Sequence, residues 1–241
     1  MRNNTGKKVL SGIFFVATAG FFYFYSFSPL GYFLHITQTE GYRKYKNFYL
    51  SSSVKAEDFK LLKEYEENAQ IRVSNLFGSQ ISEPVFVVCG NEEEFACFAS
   101  ASVPASTQLT AIGTFSAINI LNLDSDVLAH EICHQELFKR VGWFNRLMKI
   151  PTWFDEGLAM QVDYRDTYSE ENFRKIVLPL YDTANIFELV TERKFMAGDE
   201  NEVKAHYSIA KHIIAGWYKK EKLAALIAKL NSGKNFEEAY R

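Results

Sequence analysis

The sequence predicts an α+β fold: a small N-terminal mixed sheet with helices, then a mostly helical half, behind one N-terminal transmembrane helix. Three observations predict it. A charge-free apolar run covers 9–34, short β-rich runs follow one long amphipathic helix between 56 and 123, and helical periodicity takes over after Asp124. Composition fits one ordinary domain plus a small extra segment, with 241 residues, 47% hydrophobic, 15% aromatic and 23% charged. No residue type dominates any stretch, and there are only three cysteines, which excludes collagen-like, disordered and disulfide-rich classes. A net charge of −2 without a basic patch gives no footprint for nucleic acid.

Residues 1–8 are a short basic N-terminus carrying Arg2, Lys7 and Lys8. The following run, VLSGIFFVATAGFFYFYSFSPLGYFL, would reach about 39 Å as a helix, more than a hydrocarbon core needs. It is expected to be an uncleaved transmembrane anchor over 9–34. A signal peptide ending at Ala17-Thr18-Ala19, and so a secreted domain, is the alternative. Basic residues abutting the run favour a cytoplasmic N-terminus, with the folded domain outside the cytoplasm. Residues 35–55 read as a juxtamembrane spacer and 56–241 as the folded domain.

Within that domain, Phe59, Leu62, Ala69, Val73 and Leu76 recur at helical spacing up to Gly78, predicting a helix over 56–77. Pro84 introduces PVFVVC, a short strand, and 91–99 reads as a helix whose Glu92-Glu93-Glu94 run is a solvated start. Residues 107–123 mix β-branched and apolar side chains around Gly113, predicting one or two strands. Helices are then expected over 125–140, 152–165, 170–181, 185–193, 200–219 and 221–231, with a last turn at 235–240. Cys89 and Cys97 bracket NEEEFA and are candidates for a bridge outside the cytoplasm or for plain packing; Cys133 reads as a small buried residue.

The first predicted helix of the second half carries His130-Glu131-Ile132-Cys133-His134, an HExxH pattern. Helical positions i and i+4 share a face, so both imidazoles can bind one cation while Glu131 reaches a water on it. Asp124 or Ser125 would cap this helix. Next comes Pro151-Thr152-Trp153-Phe154-Asp155-Glu156-Gly157-Leu158-Ala159, where Pro151 starts a second helix and Glu156 sits in a context too apolar for an ordinary exposed face. A catalytic zinc needs three protein ligands and one open position, which His130, His134 and Glu156 would supply.

HExxH followed by W-F-x-E-G-L-A resembles the gluzincin zinc metallopeptidases, the thermolysin-like and aminopeptidase-N-like group, over roughly 56–241 and most strongly over 128–160. The resemblance implies one zinc ion held by His130, His134 and Glu156, with Glu131 as general base. More residues separate His134 from Glu156 than in aminopeptidase-N relatives, which fits a small divergent branch. The G-x-M-E-N segment that holds a free amine is absent, so exopeptidase activity has no support, and QELFKRVGW after His134 disfavours a metzincin. Relatives often supply a tyrosine hydroxyl from a downstream helix, which makes Tyr207 the expected oxyanion donor, with His206 and His212 behind it. Asp155 and Asp163 are candidate partners for the imidazoles, Asp155 with an equal alternative of facing solvent.

The expected function is a membrane-anchored zinc metallopeptidase, a hydrolase cutting peptide or protein substrates internally. Its substrate would lie along a strand edge within 109–122. A catalytically silent zinc-binding domain serving assembly at the membrane is the alternative, as is a zinc hydrolase of another amide.

Overall fold

The computed structural model describes residues 28–37, 41–100, 103–110 and 112–241, together with positions 14, 18 and 20. Five strands form one mixed sheet in the order β1-β2-β3-β5-β4. β1 (Tyr42–Tyr45) and β2 (Phe48–Ser51) are an antiparallel hairpin. The long helix α2 (Ala56–Phe77) then crosses over to β3 (Phe86–Cys89), which runs parallel to β2. After the short helix α3 (Glu92–Phe95), the antiparallel hairpin of β4 (Ala105–Thr110) and β5 (Gly113–Asn119) completes the sheet, with β5 parallel to β3 and β4 at the edge. The helical half follows as α4 (Ser125–Met148), α5 (Thr152–Ala159), α6 (Glu200–Trp217), α7 (Lys220–Asn231) and α8 (Phe236–Tyr240).

The sheet is covered on both faces, and this explains its sequence. Side chains alternate along a strand, so Phe86 and Val88 of β3 join the main core with α2 and α4, while Val87 and Cys89 point to the other face beside Phe115 and Ala117. A strand apolar on both sides reads as the continuous run FVVC. Helix α2 ends at Gly78, whose φ of 85° is the left-handed conformation that glycine adopts without strain.

The second sheet face also corrects the expected membrane anchor. Among the described residues no helix is long and apolar enough to cross a membrane. The C-terminal part of the 9–34 run is a separate eight-residue helix, α1 (Pro29–Ile36), begun by Ser28, whose Oγ accepts from the Gly31 amide at 3.0 Å, and by Pro29. Its apolar side chains cover protein: Phe33 stacks on Phe115 at 4.4 Å and meets Tyr49 edge-on at 5.2 Å. Apart from positions 14, 18 and 20, the rest of the run lies outside the described residues. The single-pass placement derived from the anchor, with its cytoplasmic N-terminus and extracytoplasmic domain, loses its support with it.

Other differences are smaller. β1 and β2 fall in the 35–55 stretch expected to be a spacer. The helix expected over 125–140 continues to Met148 across a turn at Gly142, where φ is 78°. Helix α5 stops at Ala159 rather than 165, because the chain turns there to bring Asp163 into the interior. The helix expected over 170–181 is present as one continuous helical stretch, Glu170–Asn172, Phe173–Val177 and Leu178–Leu180, whose middle segment is π-helical, while in place of the helix expected over 185–193 there are the short turns Thr183–Glu188 and Glu192–Phe195. All three thiols are free. Cys89 is buried against the Tyr42 hydroxyl, 3.8 Å away, and burial pushes its thiol up to about 12.

Candidate metal centre

Helix α4 is capped by Asp124, whose Oδ1 accepts from the Asp126 and Val127 amides at 2.9 and 2.8 Å. Its first turns run between the sheet and the helical half, which buries every residue from Val127 to Leu137. Burial on all sides is why HExxH here includes polar residues that must find partners. Helix α5 lies against α4 and is clamped from behind by α6. A Cβ on Gly157 would lie 2.6 Å from the Ala210 carbonyl oxygen, so glycine after Glu156 is what lets these two helices approach.

That packing brings three side chains together. Single ligand atoms of His130, His134 and Glu156 all lie within 4.8 Å of one another, so this buried group could hold a metal ion. The Glu156 Oε2 atom is 3.2 Å from His130 Nε2 and 3.6 Å from His134 Nε2. Burial alone would raise the Glu156 carboxyl, but the two imidazoles outweigh it and hold it well below the usual carboxylate range.

Both rings turn their other nitrogen to a buried acid. His134 Nδ1 lies 2.9 Å from Asp155 Oδ2, and Asp155 is itself paired with the Arg146 guanidinium from the far end of α4. His130 Nδ1 is 3.8 Å from Asp163 Oδ2, whose carboxylate takes both Nε and Nη2 of Arg165. Burial opposes ionisation of Asp163, yet the Arg165 hydrogen bonds leave its pKa lowered. Asp155 and Asp163 thus occupy the places left open for them by the sequence. Arg146 carries no sequence signal, because it reaches Asp155 only through the tertiary fold, whereas Arg165 stands two residues from Asp163 and pairs with it locally.

Glu131 sits beside this group, 6% exposed, and its carboxylate is reached from the edge strand. Thr107 of β4 donates to Glu131 Oε2 at 2.5 Å and lies 2.6 Å from the hydroxyl of its cross-strand partner Ser116. Ser116 in turn accepts from Gln135 Nε2 at 2.7 Å. Gln135 is oriented by its neighbours: its amide nitrogen also donates to the Val85 carbonyl, and its oxygen accepts from the Val85 amide and the Thr114 hydroxyl. The direction of the chain is fixed at its other end: Thr107 spends its one proton on the Glu131 carboxylate, so in the Thr107–Ser116 pair Ser116 is the donor. The sequence gives no hint of this relay, since threonine and serine are ordinary strand residues.

Tyr207 comes from α6. Its ring lies 6.1 Å from the His130 ring, and it borders the same cleft as His130, Glu131 and Glu156. Burial first, then the Glu156 and Glu131 carboxylates, push its hydroxyl well above the usual range, so it stays protonated and able to donate. The Tyr207 hydroxyl itself donates to Met196 Sδ at 3.8 Å, His206 Nδ1 is 2.7 Å from the Phe195 carbonyl, and His212 stacks on Phe173 and pairs with Glu170.

The cleft has a volume of about 560 Å³. One wall is β4, which corrects the expected edge within 109–122: the edge strand is Ala105–Thr110, and β5 is an inner strand. A second cavity of about 600 Å³, bordered by Arg165 and Tyr168, meets the first at Ala105, His130, Glu131 and Tyr207. His130 and Glu131 thus stand in the walls of both cavities, while His134 and Glu156 border only the first.

No protein-family model matches the chain, and neither does any curated protein or solved structure.

Proposed function

We propose that the protein is a zinc-dependent endopeptidase of gluzincin type. The observation that carries this reading is the convergence of His130, His134 and Glu156 within 4.8 Å at a cleft that also holds Glu131. Two imidazole nitrogens and one carboxylate oxygen are the donor set of hydrolytic zinc sites. Tetrahedral ligands about 2.0–2.1 Å from zinc stand roughly 3.3 Å apart, close to the 3.2 and 3.6 Å between Glu156 Oε2 and the two Nε2 atoms. Each Nδ1 facing a carboxylate suits imidazoles whose Nε2 is the ligand atom.

Zinc bound there supplies a Lewis acid that acidifies a water and polarises the scissile carbonyl. Glu131 takes the water's proton and later delivers it to the leaving amine. Thr107 holds one carboxylate oxygen of Glu131, which leaves the other to face the water. Tyr207 donates to the oxygen on which negative charge develops. Cavities on two sides of His130 and Glu131 offer room for a chain on each side of the reacting bond, as internal cleavage requires. An extended substrate would add to the free edge of β4 through main-chain hydrogen bonds.

The test pairs metal content with cleavage of a peptide library for wild type, Glu131→Gln and Glu156→Ala. Wild type and Glu131→Gln should each carry about one zinc per chain, Glu156→Ala should bind it weakly, and both variants should lose cleavage. Unchanged metal content in Glu156→Ala rejects the ligand set. Stoichiometric zinc without cleavage by wild type rejects the peptidase and leaves a silent metal-binding domain.

A further inference from the structure

The stretch of α4 after Gly142 carries its apolar face outward. Phe144, Leu147 and Met148 are spaced i, i+3, i+4 and share one helix face, yet Phe144 is 60% and Met148 69% exposed. An amphipathic helix of a folded domain ordinarily turns such a stripe to the core. Phe187, 50% exposed, and Val190 stand across from it, and together with Leu147, Met148 and Ile150 they border a cavity of about 530 Å³. This cavity is not isolated. Leu147, Ile150, Val190 and Thr191 border both it and the cleft that holds the metal-binding group. Apolar side chains thus run from the cleft out onto the protein's exterior, with Lys149, Glu237 and Arg241 also bordering the second cavity.

We infer that this shelf binds substrate: it takes an apolar stretch of the polypeptide being cut, a few residues from the scissile bond. The inference rests on the endopeptidase reading and adds a substrate class to it, chains bearing clustered large aliphatic or aromatic side chains rather than hydrophilic loops. Continuity with the cleft is what selects this occupant. A chain lying in the cleft and leaving it past Ile150 and Val190 has apolar side chains as its next neighbours. Contiguous exposed apolar surface of this kind commonly marks a binding site. Met148 and Phe187 lie outside the cleft lining, and because Phe187 meets Trp153 of α5 edge-on at 5.1 Å the zinc content of the variant is measured with its activity.

The experiment uses the full chain and two peptides of equal length, one with a Leu-Phe-Leu cluster near the cleaved bond and one with Ser-Asn-Ser in its place. Zinc-loaded wild type should prefer the apolar peptide roughly 10–200-fold in kcat/KM, the span that one or a few apolar contacts give. Met148→Glu with Phe187→Glu should remove most of that preference through KM and leave the polar peptide unaffected. Ile71→Glu, an exposed apolar position on α2, should change nothing. Binding of both labelled peptides to Glu131→Gln, in the presence and absence of the shelf substitutions, should show the same ratio without turnover. Equal binding of the two peptides overturns the shelf even if both are cut. Failure of wild type to cut either peptide counts against the peptidase reading, while the binding arm still decides the shelf. A wild-type dimer that the double substitution converts to monomer, with peptide preference intact, overturns the inference in favour of a self-association face.

Discussion

Replacing Thr107 with valine removes one hydroxyl, keeps the shape of the side chain, and cuts the donor chain at its last link. In the folded protein that hydroxyl is the donor to Glu131 Oε2 and the acceptor of the Ser116 proton. A hydrogen bond to a charged group contributes about 1.5–3 kcal/mol. If half or more of that is felt as lost orientation of the base in the proposed reaction, about 0.8–3 kcal/mol appears in the barrier, a kcat lower by roughly 4–160-fold. Zinc content should not move, since Thr107 touches none of His130, His134 or Glu156 through its hydroxyl. KM should also hold, because β4 keeps its backbone. Thr107→Ser restores the donor and should recover most of the rate, which a packing role for the methyl group would not allow. The assay is steady-state cleavage of one peptide by the three proteins, with metal analysis and thermal unfolding alongside. A Thr107→Val enzyme with wild-type kcat, or a Thr107→Ser enzyme as impaired as the valine variant, refutes the argument.

Three further outcomes follow from the same geometry. Asp155→Asn should weaken zinc binding roughly 10–100-fold by loosening His134, and it should lower stability because Arg146 stays buried without its partner. Adding Arg146→Met should return part of the melting temperature but not the zinc affinity, and recovery of both would show that Asp155 acts only on Arg146. Gly157→Ala places a Cβ 2.6 Å from both Ala210 O and Ile214 Cγ1 and should cost about 1–3 kcal/mol of overpacking while displacing Glu156; calorimetry and zinc titration check it, and an unchanged melting temperature contradicts it. Cys89 titrates near 12 when folded against 9.0 unperturbed, because burial disfavours its thiolate. The folded protein therefore holds a proton that the unfolded chain releases, so its contribution is complete below about 9 and is lost as pH rises towards about 12, at up to about 1.4 kcal/mol per pH unit. Denaturant titrations from pH 8.5 to 11 should show that slope, and it should be shallower in Cys89→Ala, with Tyr42 acting in the same sense; identical slopes would refute the assignment.

The HExxH pattern was legible because a helix alone sets its geometry: the spacing of His130 and His134 puts both rings on one face whatever packs around them. Glu156 was legible for another reason, the conflict between a carboxylate and its Trp-Phe-Gly-Leu-Ala surroundings, which the structure resolves by aiming it at two imidazoles. The membrane anchor was misjudged because a charge-free run measures apolarity, and apolarity does not say what will cover it. Here Ser28-Pro29 breaks the run, and the aromatic side chains after it cover a sheet face. That sheet face was itself hidden, since β1 and β2 are only four residues each and β1, YRKY, is half basic and mostly exposed.

What the sequence withheld about the site has a common cause. Asp155, Asp163, Arg146, Thr107 and Gln135 all act through a partner distant in the chain or on another element, and no periodicity records such pairs. Their arrangement follows from one constraint: α4 is buried along the whole length that carries the ligands. A polar side chain on such a helix must be satisfied by whatever packs against it. The sheet satisfies Glu131 and Gln135 with strand hydroxyls and the Val85 backbone. On the α5 side His130 Nδ1 and His134 Nδ1 face Asp163 and Asp155 at 3.8 and 2.9 Å without a hydrogen bond of good geometry, and these acids are themselves neutralised by arginines. In the proposed reaction, stability and reactivity would draw on the same packing, and the Thr107 and Asp155 substitutions separate them because one lies on the sheet side of α4 and the other on the helical side.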